Sequence, residues 1–546
     1  MSSVWQSGVW QSSVWRAGVW RAGVGRAGVG LFGLGRWHWF AAGTGFGTQR
    51  TVRAPVIGRL KVAINRAHPR RKEFVVSKVQ LSDFVKAYDV RGTVPDQLSD
   101  EVARAFGTAF VRVMRREGAV PSIVIAHDMR PSSPDLAAAF ADGVAAEGAD
   151  VILAGLGSTD MAYFAAGSLN MPGAMFTASH NPAKYNGIKM CRAGALPVGL
   201  ETGLGDIRDL AQAILDGTDS AHSLRVEARG TVSERDLLRP YAEYLRGLVD
   251  LSGIRRLAVV VDAGNGMAGY TVPAVLGDEK LAALPLDITP LYFELDGTFP
   301  NHEANPLDPA NIVDLQAAVV EHDADIGLAF DGDADRCFVV DELGHPVSPS
   351  AVTALVATRE LAKHPGATII HNLITSSAVP EIVTENGGQP VRTRVGHSFI
   401  KAEMARTGAA FGGEHSAHYY FKDFWGADTG MLAAMHMLAA LGGQPLPLSE
   451  FAAKFERYVA SGEINTTVAD PAGKLAEAEA ALVGTGAPAG VQADHLDGLT
   501  VRYPDGGWIN VRPSNTEPLL RLNVEAPDAD RMAQLRDAAL QVIRAR

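Results

Sequence analysis

The sequence predicts an α/β protein of several units: three related α/β layers, then a smaller α+β domain at the C-terminal end. Three observations carry this. Short apolar runs alternate with longer helical stretches from residue 122 onward, and the alternation starts afresh near residues 257 and 367. After about residue 458 the pattern changes character. Finally, 546 residues exceed what a single hydrophobic core can organise.

The elements follow in order. Residues 122–126, 150–153 and 173–176 read as strands, with an alanine-rich helix over 134–147 between the first two. Near-continuous apolar runs of this kind suit a mostly parallel sheet covered on both faces. Strands over 257–261 and 367–370 open the second and third series. Composition shifts near 220–235, 343–350 and 442–449 mark candidate linkers. Near the end, 519–525 alternates apolar and polar residues like a half-exposed strand, and a helix over 528–546 closes the chain. The expected units are 79–230, 231–345, 346–457 and 458–546.

The segment before residue 79 is of a different kind. Val4, Val9, Val14, Val19, Val24 and Val29 recur every five residues, with Trp5, Trp10, Trp15 and Trp20 beside them. It has twelve Arg and Lys and no acid before Glu73, so a chain of formal charge -11 carries about -23 in its remainder. An acid-free, arginine-rich start resembles an organellar transit peptide. A five-residue period, however, builds neither a helical nor a strand face. Residues 1–78 are read as a disordered basic extension outside the fold. The acidic remainder argues against nucleic acid as a partner, and no long apolar run predicts a membrane span. Two cysteines, Cys191 and Cys337, fit a reducing, cytoplasmic setting without structural disulfides.

The chemistry centres on Asp331-Gly332-Asp333-Ala334-Asp335-Arg336, which follows the apolar run 325–330. Three carboxylates at i, i+2 and i+4 raise one another's pKa unless compensated. A divalent cation with oxygen ligands, most simply Mg2+, is the economical partner, and three carboxylates leave coordination positions open. A calcium-hand loop would also use Glu342, but Arg336 stands where that loop needs glycine and the preceding run reads as a strand. Gly264-Asn265-Gly266-Met267-Ala268-Gly269 matches a dinucleotide fingerprint, with Asp287 near the ribose position; the competing reading is a glycine-rich turn.

Further loops supply complementary groups. Ser179, in Thr177-Ala178-Ser179-His180-Asn181-Pro182, follows a strand end, where its hydroxyl could act as nucleophile or carry a phosphate. A phosphoserine would add oxygen ligands to the carboxylates. Lys189 lies on the next strand. His397 opens a helix and has acid–base capacity near neutral pH. Glu414 and Ser416 could accept from sugar hydroxyls, with His418 close by. Arg512, Ser514, Asn515 and Thr516 gather a guanidinium, hydroxyls and backbone N–H groups into a phosphate cradle.

The Ser179 loop, the Asp331–Arg336 loop, the Glu414–His418 loop and the Arg512–Pro518 loop resemble, in order and spacing, those of the α-D-phosphohexomutases. The resemblance covers residues 79–546, and Tyr88-Asp89-Val90-Arg91-Gly92 is similar to that family's opening motif. It implies four domains around a central cleft: a phosphoserine-loop domain, a metal-loop domain, a sugar-recognition domain and a phosphate-binding domain that closes over substrate. It implies that Ser179 is a phosphoserine sharing Mg2+ with Asp331, Asp333 and Asp335. It assigns Glu414 and Ser416 to sugar hydroxyls, and Arg512, Ser514, Asn515 and Thr516 to the non-reacting phosphate. Arg91, Lys189, Arg336, His397 and His418 become charge stabilisers or proton carriers. The implied activity is interconversion of mannose 6-phosphate and mannose 1-phosphate, with glucose phosphates also accepted, through a hexose 1,6-bisphosphate that also serves as activator. Asn515 favours the phosphomannomutase/phosphoglucomutase branch over glucosamine-type mutases, which usually carry glycine there. His415 and Ala417 depart from the commonest sugar loop, which has methionine and glycine. Phosphoglucosamine mutase and a metal-dependent sugar phosphatase are the alternatives; a non-catalytic sugar-phosphate binder would lack a nucleophile or metal ligands, and neither is missing. The expected partner is a phosphorylated hexose, with the chain a monomer or weak dimer.

Overall fold

A computed structural model describes residues 79–219, 228–484, 488–514 and 519–545. The extension 1–78 and the expected cradle residues Asn515 and Thr516 lie outside the described residues.

The first sheet contains β1 (Val90–Thr93), β2 (Ser122–His127), β3 (Asp150–Leu156), β4 (Gly173–Phe176), β5 (Tyr185–Cys191) and β6 (Val232–Glu234), in the order β1-β5-β4-β2-β3-β6. Its inner strands are parallel, and β5 runs antiparallel to both β4 and β1. β6 lies just past residue 230, so this sheet takes in residues beyond the expected boundary. Helices α1 (Asp100–Met114), α2 (Ser133–Ala146) and α3 (Thr159–Ser168) cover it. α3 starts where Ser158 accepts from Met161 N–H, as an N-cap serine should.

The second sheet, from β7 (Leu257–Asp262), β8 (Leu286–Leu291), β9 (Ile326–Phe330), β10 (Cys337–Asp341) and β11 (Pro346–Val347), has the order β11-β10-β9-β7-β8. β9 and β10 form a hairpin whose connection is the acidic loop. The third comprises β12 (Thr368–Asn372), β13 (Gln389–Thr393), β14 (Phe411–Gly413), β15 (Tyr419–Phe421) and β16 (Ala427–Asp428). Each of the first three sheets mixes parallel and antiparallel pairs, because hairpins carry the site loops. The fourth sheet, β17 (Val459–Thr467), β18 (Gln492–Asp494), β19 (Leu499–Arg502), β20 (Trp508–Pro513) and β21 (Leu519–Ala526), is wholly antiparallel and packs under two helices. Three α/β units and one α+β unit are therefore present.

The cores are unequal. One continuous apolar cluster joins residues of all three α/β units, including Phe164, Val260 and Leu355. The fourth unit has its own core around Val511, Leu522 and Leu535. It meets the third unit through a small patch, Leu373, Ile374 and Trp508. Polar contacts frame that patch: Ser377 N–H donates to Glu525 (2.9 Å), and Arg392 pairs with Asp494 (2.6 Å).

β21 corrects one expectation. Its alternation suggested a half-exposed strand, yet Asn523 and Glu525 are buried. Asn523 accepts from Arg512 across the sheet, and Glu525 takes Trp508 Nε1–H and Ser377 N–H, so partners replace water on that face. Both cysteines are buried and free. Among the described residues no helix is long and apolar enough to cross a membrane.

Candidate active site

Hairpin and strand ends bring the reactive groups together. Ser179 Oγ donates to Asp331 Oδ2 at 2.8 Å, across 152 residues of sequence. The serine backbone is left-handed (φ 49°), an uncommon state for a non-glycine residue and one often seen at functional turns. Its surroundings hold it there. Thr177 Oγ1 accepts Ser179 N–H, and the fully buried Arg130 donates to the carbonyls of Ser179, Asn181, Pro182 and Tyr185. Arg91 braces the same loop through Asn181 Oδ1 and is itself fixed by Asp89, both at 2.6 Å.

The acidic loop approaches this turn so closely that only glycine fits at 332: a Cβ there would lie 2.5 Å from the Ser179 carbonyl oxygen. Gly266 packs on the other side, where a Cβ would sit 2.7 Å from the Gly332 carbonyl. The Gly264–Gly269 segment is thus a turn that supports the acidic loop. Asp287, the supposed ribose acid, pairs with Arg256 at the surface. Glu342 accepts from Ser449 N–H at 2.9 Å, which removes it from any calcium-hand arrangement.

The carboxylates of Asp331, Asp333 and Asp335 are buried, with one oxygen from each within 4.8 Å of the others. Lys189 Nζ bridges Asp333 Oδ2 (2.7 Å) and Asp335 Oδ2 (2.6 Å), while Arg336 contacts Asp331 Oδ2 at 2.9 Å. Burial pushes the Asp331 carboxyl up to about 7 despite the guanidinium beside it. Burial also opposes ionisation of Asp333 and Asp335, but the Lys189 ammonium, together with the Thr159 hydroxyl at Asp333 and with His418 and Arg336 at Asp335, holds both below the ordinary range. Asp333 Oδ1 and Asp335 Oδ1 are buried without a hydrogen-bond partner among the described residues. An all-oxygen donor set with two unsatisfied buried oxygens suits a hard divalent cation.

The expected sugar loop adjoins this centre. Arg336 and His418 form an antiparallel backbone bridge, and His418 Nε2 lies 3.7 Å from Asp335 Oδ1. His418 Nδ1 is 3.1 Å from Ser416 Oγ. Glu414 is held by Tyr420 O–H (2.8 Å) and Gly396 N–H (3.1 Å). Ala417 has φ 64°, a strain that glycine would not incur. His397 begins its helix with its ring against Tyr88 (3.9 Å between centroids) and near His418 (6.3 Å). Burial, reinforced by Lys401, keeps the His397 imidazole well below its usual pKa, hence neutral.

The expected phosphate cradle sits in the fourth unit. Arg512 donates to Asn523 Oδ1 (2.9 Å) and Glu463 Oε2 (2.5 Å), and Glu463 also holds Arg521 at 2.8 Å. Arg512 and Arg521 are cross-strand partners, so their guanidiniums share one face. Ser514 N–H donates to the Leu519 carbonyl, closing the loop base.

Sequence reasoning missed Arg130, Thr159, Lys401, Asp428, Glu463 and Arg521. Lys401 and Asp428 form a buried ion pair at 2.6 Å behind the histidines. Arg521 had a readable signal, since it follows the cradle loop in a short strand; the others are single residues in unmarked contexts.

Comparisons with known proteins agree with this arrangement. Family models match in sequence: phosphoglucomutase/phosphomannomutase alpha/beta/alpha domain I over 83–214, domain II over 239–344, domain III over 348–458 and the C-terminal domain over 463–542. A phosphomannomutase of Salmonella typhimurium is 38% identical over 444 residues, covering 81% of this chain and 94% of the relative. A Xanthomonas campestris protein named for phosphohexose mutases is 39% identical, with the same coverage. The crystal structure of a phosphoglucomutase/phosphomannomutase family protein from Burkholderia thailandensis superposes with TM-score 0.74 at 34% identity, over 85% of this chain and 98% of that one. The chain belongs to the phosphoglucomutase/phosphomannomutase family.

Proposed function

We propose that this enzyme interconverts mannose 6-phosphate and mannose 1-phosphate, accepting glucose phosphates as well, through a phosphoserine at Ser179 and a hexose 1,6-bisphosphate. The observation that carries the reading is the 2.8 Å contact between Ser179 Oγ and Asp331, inside a pocket that also holds Asp333, Asp335, Lys189 and Arg336. Asp331, Asp333, Asp335 and the phosphorylated serine would hold Mg2+. When bound, the ion neutralises charge on the phosphoryl group and the serine oxygen.

The remaining work belongs to side chains. Phosphoryl transfer depends mainly on positioning and charge stabilisation. Lys189 and Arg336 place positive charge beside the serine, and Arg91 holds the loop that presents it. A sugar hydroxyl accepts the phosphoryl group, the serine oxygen leaves, and the hydroxyl proton passes to a group of the pocket. We assign proton transfer to His397 and His418, with His397 entering neutral; the His180 ring is closer to the serine, its Nδ1 3.2 Å from Ser179 Oγ. The bisphosphate then reverses its orientation, and its other phosphate returns to Ser179. Glu414 and Ser416 read the sugar hydroxyls in both orientations. Arg512, Ser514, Asn515 and Thr516 hold whichever phosphate is not reacting, and Arg521 adds a second guanidinium. Closure of the fourth unit excludes water, which would otherwise hydrolyse the phosphoserine. We place the chain in the cytoplasm as a monomer or weak dimer, with Mg2+ as cofactor, a hexose 1,6-bisphosphate as activator, and neither nucleic acid nor membrane as a partner.

A coupled assay with mannose 6-phosphate and glucose 6-phosphate, with and without hexose 1,6-bisphosphate, tests the reading. Isomer formation stimulated by the bisphosphate and abolished by chelation is expected. Release of inorganic phosphate without isomer would assign a phosphatase instead.

A further inference from the structure

The N-terminus of α3 touches the acidic loop at a point that the reaction itself does not require. Thr159 Oγ1 donates to Asp333 Oδ2 at 2.6 Å, and Thr159 N–H donates to the Asp333 carbonyl at 3.0 Å. Both residues are fully buried. The next residue, Asp160, fixes α3 in turn: Tyr241 O–H of the second unit (2.6 Å) and Thr429 O–H of the third (2.7 Å) both donate to its Oδ2, and Ser158 donates to its Oδ1. Ser158, Thr159 and Asp160 therefore clamp three units at one buried junction, and the clamp ends on Asp333.

The division of labour on that carboxylate is unequal. Its Oδ2 is fully engaged by Thr159 and Lys189. Its Oδ1 is buried with no hydrogen-bond partner among the described residues. A carboxylate with one oxygen pinned and the other unsatisfied has one face left for a ligand, and its rotamer is fixed by the pinned side.

We propose that Thr159 is a positioning residue for the cation: its hydroxyl and backbone N–H lock Asp333 so that Oδ1 faces the ion. This rests on reading Asp331, Asp333 and Asp335 as the cation site. Lys189 alone would leave that rotamer freer, because an ammonium on a flexible stem bonds in many directions whereas the threonine hydroxyl is set by a helix start.

The test is a titration of the full-length enzyme with Mn2+, followed by the loss of the free-ion electron paramagnetic resonance signal. Thr159→Val keeps the shape and removes the donor; Thr159→Ala is read in the same way if the valine variant fails to fold. The wild type should bind the ion, and Thr159→Val should weaken its affinity by about tenfold, the effect usual for loss of a partner that orients a metal ligand. Thr159→Ser should restore affinity to within about threefold of wild type. The KM for hexose phosphate should stay unchanged, since Thr159 is fully buried against Asp333. Wild-type Mn2+ affinity in a folded Thr159→Val protein overturns the inference. So does an equal loss in Thr159→Ser, which would show that the hydroxyl is not the agent. A wild-type protein that binds no Mn2+ overturns the cation reading itself, so the two failures are distinct.

Discussion

The two ends of the site are built differently. At the reacting end, the contacts that assemble the centre join residues far apart in sequence and in different α/β units: Ser179 to Asp331, Lys189 to Asp333 and Asp335, Thr159 to Asp333. Those units are joined by one continuous apolar cluster, beside which the first keeps a further core around Phe106 and Phe140. At the phosphate end, Arg512 is held by Asn523 and Glu463 within a single antiparallel sheet that has its own core. The first construction fixes geometry, because no unit can shift without breaking buried packing. The second keeps a cradle intact while its whole domain is joined to the rest by a small patch around Trp508. A mutase must hold its phosphoserine still and let a turning sugar present either phosphate, so this unequal attachment suits the chemistry.

The comparison can be broken at each end. Ser179→Ala should cost the most, at least about three orders of magnitude in kcat, because it removes the group proposed to carry phosphate. Near wild-type turnover in a folded variant would refute the assignment. Arg512→Ala should raise KM by roughly tenfold to a hundredfold with a smaller fall in kcat, as expected for loss of a charge-assisted phosphate contact; steady-state kinetics separate the two. Equal falls in kcat and kcat/KM would place Arg512 at the reacting end instead.

Trp508→Ala addresses the attachment. It empties a buried aromatic position between the third and fourth units and should destabilise the fourth by about 3 kcal/mol. Calorimetry should show the fourth unit unfolding earlier while the shared core is unmoved. A uniform shift of all unfolding would mean the four units form one cooperative block. The smallest effect belongs to Ala417→Gly. Relief of the left-handed strain and the greater freedom of glycine in the unfolded chain oppose each other, so stability should change by no more than about 1 kcal/mol.

The same contrast governs what could be read from the sequence. Asp331, Asp333 and Asp335 were legible because three acids at alternate positions after an apolar run are a local pattern with one economical explanation. The Arg512 loop carried a weaker local signal, a guanidinium beside hydroxyls that a plain polar turn would also show, and Asn515 and Thr516 lie outside the described residues. Arg130 and Thr159 were not legible: each is one residue whose partner arrives only through folding, and nothing near it in sequence marks the meeting. β21 was read as half exposed because alternation reports polarity, and polarity alone does not distinguish water from Arg512 and Trp508 as the partner of Asn523 and Glu525. Mixed strand directions in the first three sheets were hidden for a related reason: an apolar run has the same appearance whichever way its neighbour points.

The central claim is that Ser179 carries the phosphoryl group. The direct measurement is incubation of the enzyme with hexose 1,6-bisphosphate labelled in its phosphates, followed by mapping of the labelled peptide. One phosphoryl group per chain on Ser179, transferable to added hexose phosphate and absent from Ser179→Ala, is the predicted result. Label on another residue, or isomerisation without any labelled protein, would contradict it.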